Sequence, residues 1–183
     1  MGYVTDVAPA GLVPAAWLVT LGAHTTSLVT ARTIFIAMVV MDVLLVAFFV
    51  ASLGEMTGVL ATWQRVIVLG LVATLVGTAD MALDPGANPL LPVTLYAWML
   101  LPGLAYVPTG TAHADATRRR TYLAAAALSV AGAGVYAFGH LGGISPATTT
   151  VVGLTLVGIG QTAGIVAAVL QNTGQSAGTA SPA

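Results

Sequence analysis

Apolar residues recur along this chain in blocks of about 20, and at ~1.5 Å rise per residue a helix of that length crosses the ~30 Å hydrocarbon core of a bilayer. Of the 183 residues 57% are apolar and only 6% are charged. A chain of this length forms one domain, and a soluble core does not require so much apolar side chain. The pattern predicts an all-α polytopic membrane protein with six transmembrane helices over 9–29, 33–53, 63–83, 90–109, 121–140 and 148–170. The turn-formers and most charges fall between these blocks: Gly54 to Gly58, Asp84 to Pro89, Ala112 to Arg120, and Gly142 to Pro146. Residues 1–171 form a single transmembrane domain in this reading, and the Gly/Ser/Thr/Ala-rich segment 172–183 is a disordered tail. The opening Met1-Gly2-Tyr3-Val4 lacks a basic stretch, so the first block is expected to stay as a helix.

Missing residue types narrow the chemistry. Without cysteine there is no disulfide, thiolate metal site or thiol nucleophile. All five basic residues are arginine, so retinal and pyridoxal Schiff bases and the Walker A lysine are excluded. A net charge of −1 with no basic tract excludes nucleic acid as a partner. Richness in Ala, Val, Thr and Gly, with arginine for lysine, fits a high-GC prokaryote and hence a prokaryotic cell membrane. Arginine also sets the expected orientation. With both termini cytoplasmic, Arg65, Arg118, Arg119 and Arg120 lie inside and Arg32 alone lies outside; the reverse topology violates the positive-inside rule.

Sliding the chain on itself by 88 residues aligns Pro14 with Pro102, Gly22 with Gly110, Arg32-Thr33 with Arg120-Thr121, Leu53-Gly54 with Leu141-Gly142 and Gly70 with Gly158. Each half, 9–83 and 97–171, then holds three helices. The second half must enter the membrane in the opposite sense, which is the 3+3 inverted repeat of many transporters.

Few side chains inside the spans can do chemistry. Asp42 stands in the middle of the second block, where a charge costs about 2.5–3.5 kcal/mol even on the lenient insertion scale. It is expected to face the bundle interior and to serve as a proton or cation site. The fourth block holds Tyr96, Trp98, Pro102 and Gly103. A break at Pro102-Gly103 is expected to free carbonyls that line a polar cavity beside Asp42. Arg32 and Asp80 are expected to pair as a structural salt bridge, and Arg65 with Glu55 likewise. His24 and His140 fall at the same membrane face and are the one candidate axial pair for haem b. No His-x-x-x-His spacing points to a metal site. Gly158-x-Gly160-x-x-x-Gly164, together with Ala131-Gly132-Ala133-Gly134, predicts close packing of helices five and six, within one chain or between the chains of a homo-oligomer. Gln161 and Thr162 are expected to add polar contacts at that seam.

The leading functional expectation is a small ion- or proton-coupled solute transporter or channel-like protein without a cofactor. The alternative is an accessory or haem b-binding subunit of a larger membrane redox complex. An enzyme is not expected, because no Gly-x-Ser-x-Gly, His-Glu-x-x-His or paired-aspartate motif occurs.

Overall fold

Six α-helices follow one another: α1 (Tyr3–Thr25), α2 (Ala31–Ser52), α3 (Leu60–Leu83), α4 (Leu91–Thr111), α5 (Ala116–His140) and α6 (Pro146–Gly178). The computed structural model describes residues 3–54, 56–84, 86–142 and 145–178, with the backbone alone at 3–8 and 172–178. Helices α2 to α6 are each long and apolar enough to cross a membrane, and α1 carries Pro9 and Pro14 inside it. The chain is a polytopic helical membrane protein.

Local capping explains where the helix ends depart from the expected ones. The α5 helix starts at Ala116, five residues earlier than 121, because the Asp115 side chain accepts from the Arg118 amide at 2.8 Å. That cap draws Arg118, Arg119 and Arg120 into the first turns of α5, all exposed. Thr30 caps α2 in the same way, through the Thr33 amide. The α1 helix ends at Thr25, short of residue 29, where the Thr25 and Thr26 hydroxyls donate back to the Leu21 and Gly22 carbonyls at 2.8 Å. The backbone of α6 continues past residue 172 to Gly178, and residues 179–183 lie outside the described residues.

The helices pack in the order α2, α3, α4, α5, α6, α1, each along the next, with a smaller contact between α4 and α6. Helices α1 and α2 are consecutive in the chain yet stand at the two ends of this row, joined only by residues 26–30. So short a connection spans at most ~20 Å. The row therefore curls until its ends approach at that face. Under the 88-residue shift, the α1–α6 contact corresponds to α4–α3, and both exist. The extended α4–α5 contact corresponds to α1–α2, which has no such contact.

Burial is uneven along the row. Trp17, Met99, Ala133, Tyr136, Leu154 and Val157 form one core cluster between α1, α4, α5 and α6, and Tyr106, Tyr122, Ala125 and Ala126 form another between α4 and α5. On α2, only Asp42, Leu45 and Ser52 are buried, while Ile36, Val39, Val40, Val43, Val46 and Val50 stand exposed. Apolar surface on this scale suits hydrocarbon and not water. The tightest crossing is α5 on α6. A methyl group at Gly132 would lie 2.6 Å from the Gly153 carbonyl oxygen, and one at Gly153 would lie 2.7 Å from the Gly132 carbonyl oxygen. The expected close packing of these two helices thus occurs within one chain. Gly134 faces open space, and Gly158 and Gly164 turn instead to Trp17 of α1 and Tyr106 of α4.

Candidate functional site

Two polar seams run through the bundle. The first joins α2 to α3. Asp42 is 8% exposed, and its Oδ2 accepts from the Thr78 hydroxyl at 2.7 Å. Its Oδ1 is buried with no hydrogen-bond partner among the described residues. Thr78 lies five residues before the end of α3, whereas Asp42 is halfway along α2. The carboxyl therefore sits about 8 Å from the end of α3 that leads into the 84–90 connection, nearer one face of the bundle than its place in α2 implies.

The second seam centres on Gln161 of α6, which is 3% exposed. Its Oε1 accepts from Trp17 Nε1 of α1 at 3.1 Å, and its Nε2 donates to the Trp98 and Met99 carbonyls of α4 at 2.8 and 3.2 Å. Its own carbonyl accepts from the Tyr106 hydroxyl at 2.9 Å. The cause lies in the sequence of α4. Pro102 has no amide hydrogen, so the carbonyl four residues before it, that of Trp98, loses its helical donor. The Gln161 amide supplies the replacement. From Trp98 the seam continues to α3, where the indole Nε1 donates to Thr74 Oγ1 at 2.9 Å and Thr74 donates to the Gly70 carbonyl at 2.8 Å.

This geometry separates residues that the sequence suggested would share a cavity. The α4 helix is unbroken from Leu91 to Thr111, with Pro102 and Pro108 inside it. Pro102 and Gly103 are buried, and Gly103 packs on Ser129 of α5. Asp42 faces α3 on the far side of the row. Thr94 of α4 meets Gly77 of α3, so Gly103, nine residues further on, is about 13 Å further along the bundle. The expected polar cavity would need Asp42 beside Pro102-Gly103, and the described residues do not bring them together: the main contact of α2 is with α3, and Gly103 stands at another depth of the bundle. Trp98 turns to α3, its ring seated over Gly70, and Tyr96 turns to α5, edge-on to Tyr136 at 5.6 Å. Gln161 turns to α1 and α4 and not to the α5–α6 seam, since the missing donor is on α4.

The expected ion pairs differ too. Asp80 Oδ2 accepts from the Leu90 amide at 2.8 Å and so ties the 84–90 connection to α3. Arg32 is exposed at the start of α2 and forms no ion pair among the described residues, so the Arg32–Asp80 bridge is not made. Glu55, the expected partner of Arg65, lies outside the described residues.

His24 and His140 do come together, both on Tyr136. Each ring nitrogen Nδ1 sits 2.9 Å from the carbonyl four residues earlier, Thr20 and Tyr136 respectively. A carbonyl only accepts, so both Nδ1 atoms carry hydrogen when these bonds form. His24 Nε2 then accepts from the Tyr136 hydroxyl at 3.2 Å, and His140 stacks on the Tyr136 ring at 4.4 Å between centroids. Haem b needs both imidazoles free and a slot between them. Tyr136, 5% exposed and part of the core, takes up the His24 nitrogen and lies under the His140 ring. These residues do not fit the group. Among the described residues no three of His, Cys, Asp and Glu cluster to hold a metal ion.

Compared with protein-family models, curated proteins and solved structures, the chain matches none.

Proposed function

We propose that this integral membrane protein is a small ion- or proton-coupled solute transporter or channel-like protein, with Asp42 as its ion-binding carboxylate. One observation carries the reading: Oδ1 of Asp42 is buried inside a membrane-spanning helix and has no hydrogen-bond partner among the described residues. A buried polar atom left unsatisfied costs about 1–3 kcal/mol, more for a charge, and intramembrane acids mark ion pathways and proton relays. The setting of α2 supports movement. It packs chiefly along α3, and among the described residues Asp42–Thr78 is its one side-chain hydrogen bond to another helix. Ion occupancy at Asp42 therefore acts on the bond that seats α2. Both termini are cytoplasmic in this proposal. Arg65 and the Arg118–Arg120 run share the end of the bundle where the termini lie, and Arg32 stands at the other.

Reconstitution into liposomes loaded with a pH-sensitive dye, under an imposed proton or cation gradient, tests the reading. The wild-type protein should dissipate the gradient, and Asp42→Asn should fall to the rate of protein-free liposomes. Equal rates for the two proteins would remove Asp42 from the transport path.

A further inference from the structure

We infer that the species taken up and released at Asp42 is a proton, and not a metal cation. The inference rests on the proposal that Asp42 is the ion site, and it names the occupant. The oxygen set decides between the two. A dehydrated metal cation needs several oxygens to replace its water shell, whether carboxylates, carbonyls or hydroxyls. Among the described residues the Thr78 hydroxyl is the one group hydrogen-bonded to the Asp42 carboxyl, and its hydrogen is directed at Oδ2, which leaves Oδ1 without a partner. The Thr94 hydroxyl, on the neighbouring α3–α4 seam, donates to the Ala73 carbonyl at 2.7 Å. Backbone carbonyls are no substitute. Neither α2 nor α3 contains proline, so none of their carbonyls loses its helical donor in the way that of Trp98 does, and the Ala73 carbonyl of α3 already takes the Thr94 hydroxyl as a further donor. The Trp98 carbonyl that Pro102 releases is occupied by Gln161.

A proton needs only one oxygen, and Oδ1 is that oxygen. No fixed charge competes for it. The main neighbour of α2 is α3, whose charged groups are Arg65 and Asp80, and α4, which reaches the same place through Thr94 at Gly77, has no charged residue. Asp80 is engaged with the Leu90 amide. Arg65 is exposed, thirteen residues from Thr78, or about 20 Å along the helix. On α2 itself, Arg32 is exposed and ten residues from Asp42, or about 15 Å away. No described cation therefore stands beside the carboxylate, and a proton is what neutralises it.

Infrared difference spectroscopy of the reconstituted full chain, between acidic and alkaline buffers, reads the carboxyl group directly. The wild-type protein should show a protonated-carboxyl stretch that titrates and is missing from Asp42→Asn. Its midpoint should be the same in sodium, potassium and choline buffers. Thr78→Val retains the carboxyl, so it should keep the band and shift its frequency as the hydrogen bond is lost. A midpoint that falls by about one pH unit for each tenfold rise in sodium or potassium would show a competing metal cation and overturn the inference. A wild-type spectrum without a titrating Asp42 band would overturn it as well. The liposome assay separates the two proposals. A cation-sensitive band with flux lost in Asp42→Asn refutes the proton alone, and a cation-insensitive band with flux unchanged in Asp42→Asn refutes the transport reading alone.

Discussion

At the scale of single residues, two buried polar side chains carry opposite meanings. Gln161 is fully engaged: both ends of its amide and its carbonyl are bonded to α1 and α4. Asp42 is half engaged. A satisfied network specifies one packing arrangement, whereas a half-satisfied one costs stability. Gln161→Leu should leave the Trp98 carbonyl and the Trp17 indole without partners and destabilise the fold by about 1–3 kcal/mol, measured by unfolding in mixed micelles. A change below a few tenths of a kcal/mol would mean that the network contributes nothing. The sequence foreshadowed Asp42, because an acid in an apolar span is conspicuous. It also contained the clue to Gln161, the one amide side chain between residues 148 and 170, together with a proline four residues after Trp98. What it lacked was the facing: periodicity alone does not say which carbonyl on which helix the amide meets.

At the scale of helices, block length alone fixed the existence of all six elements, and capping chemistry adjusted their ends. The Asp115 cap moved the start of α5, and the Thr25 and Thr26 hydroxyls closed α1 early. Neighbour relations were less legible. Helices that are apolar on every side show no stripe to mark the partner face, so the placement of α2 chiefly along α3, away from Pro102 and Gly103, was not written in the pattern. The glycines of α5 and α6 were a better guide, because a close crossing excludes any side chain. Gly153→Ala should push its methyl into the Gly132 carbonyl and the Tyr136 amide, at 2.7 and 2.8 Å, and cost about 1–3 kcal/mol. Gly134→Ala, with nothing within 4 Å, should be neutral or stabilising. Thermal unfolding of the two variants side by side checks this; equal midpoints would contradict the crossing.

At the scale of the whole molecule, the even number of helices places the start of α1 and the end of α6 on one side, and the proposed orientation, with that side cytoplasmic, rests on the positive-inside rule. The absence of cysteine makes this easy to test. Single cysteines at Asp84 and Asp115, both exposed, should be labelled from opposite faces of intact cells, with Asp84 outside. Labelling of both from the same face would contradict the topology. The Asp42–Thr78 bond lies near the end of α3 that leads into the 84–90 connection, so the proposed proton exchange would take its short path to the Asp84 side. The central claim, that Asp42 exchanges an ion and does not merely pin α2, is tested most directly by charge displacement. Proteoliposomes adsorbed on a solid-supported membrane are given a step in pH, and the current is recorded. A transient current in the wild-type protein, absent in Asp42→Asn and retained with altered kinetics in Thr78→Val, is the predicted result. Wild-type and Asp42→Asn currents of equal size would contradict it.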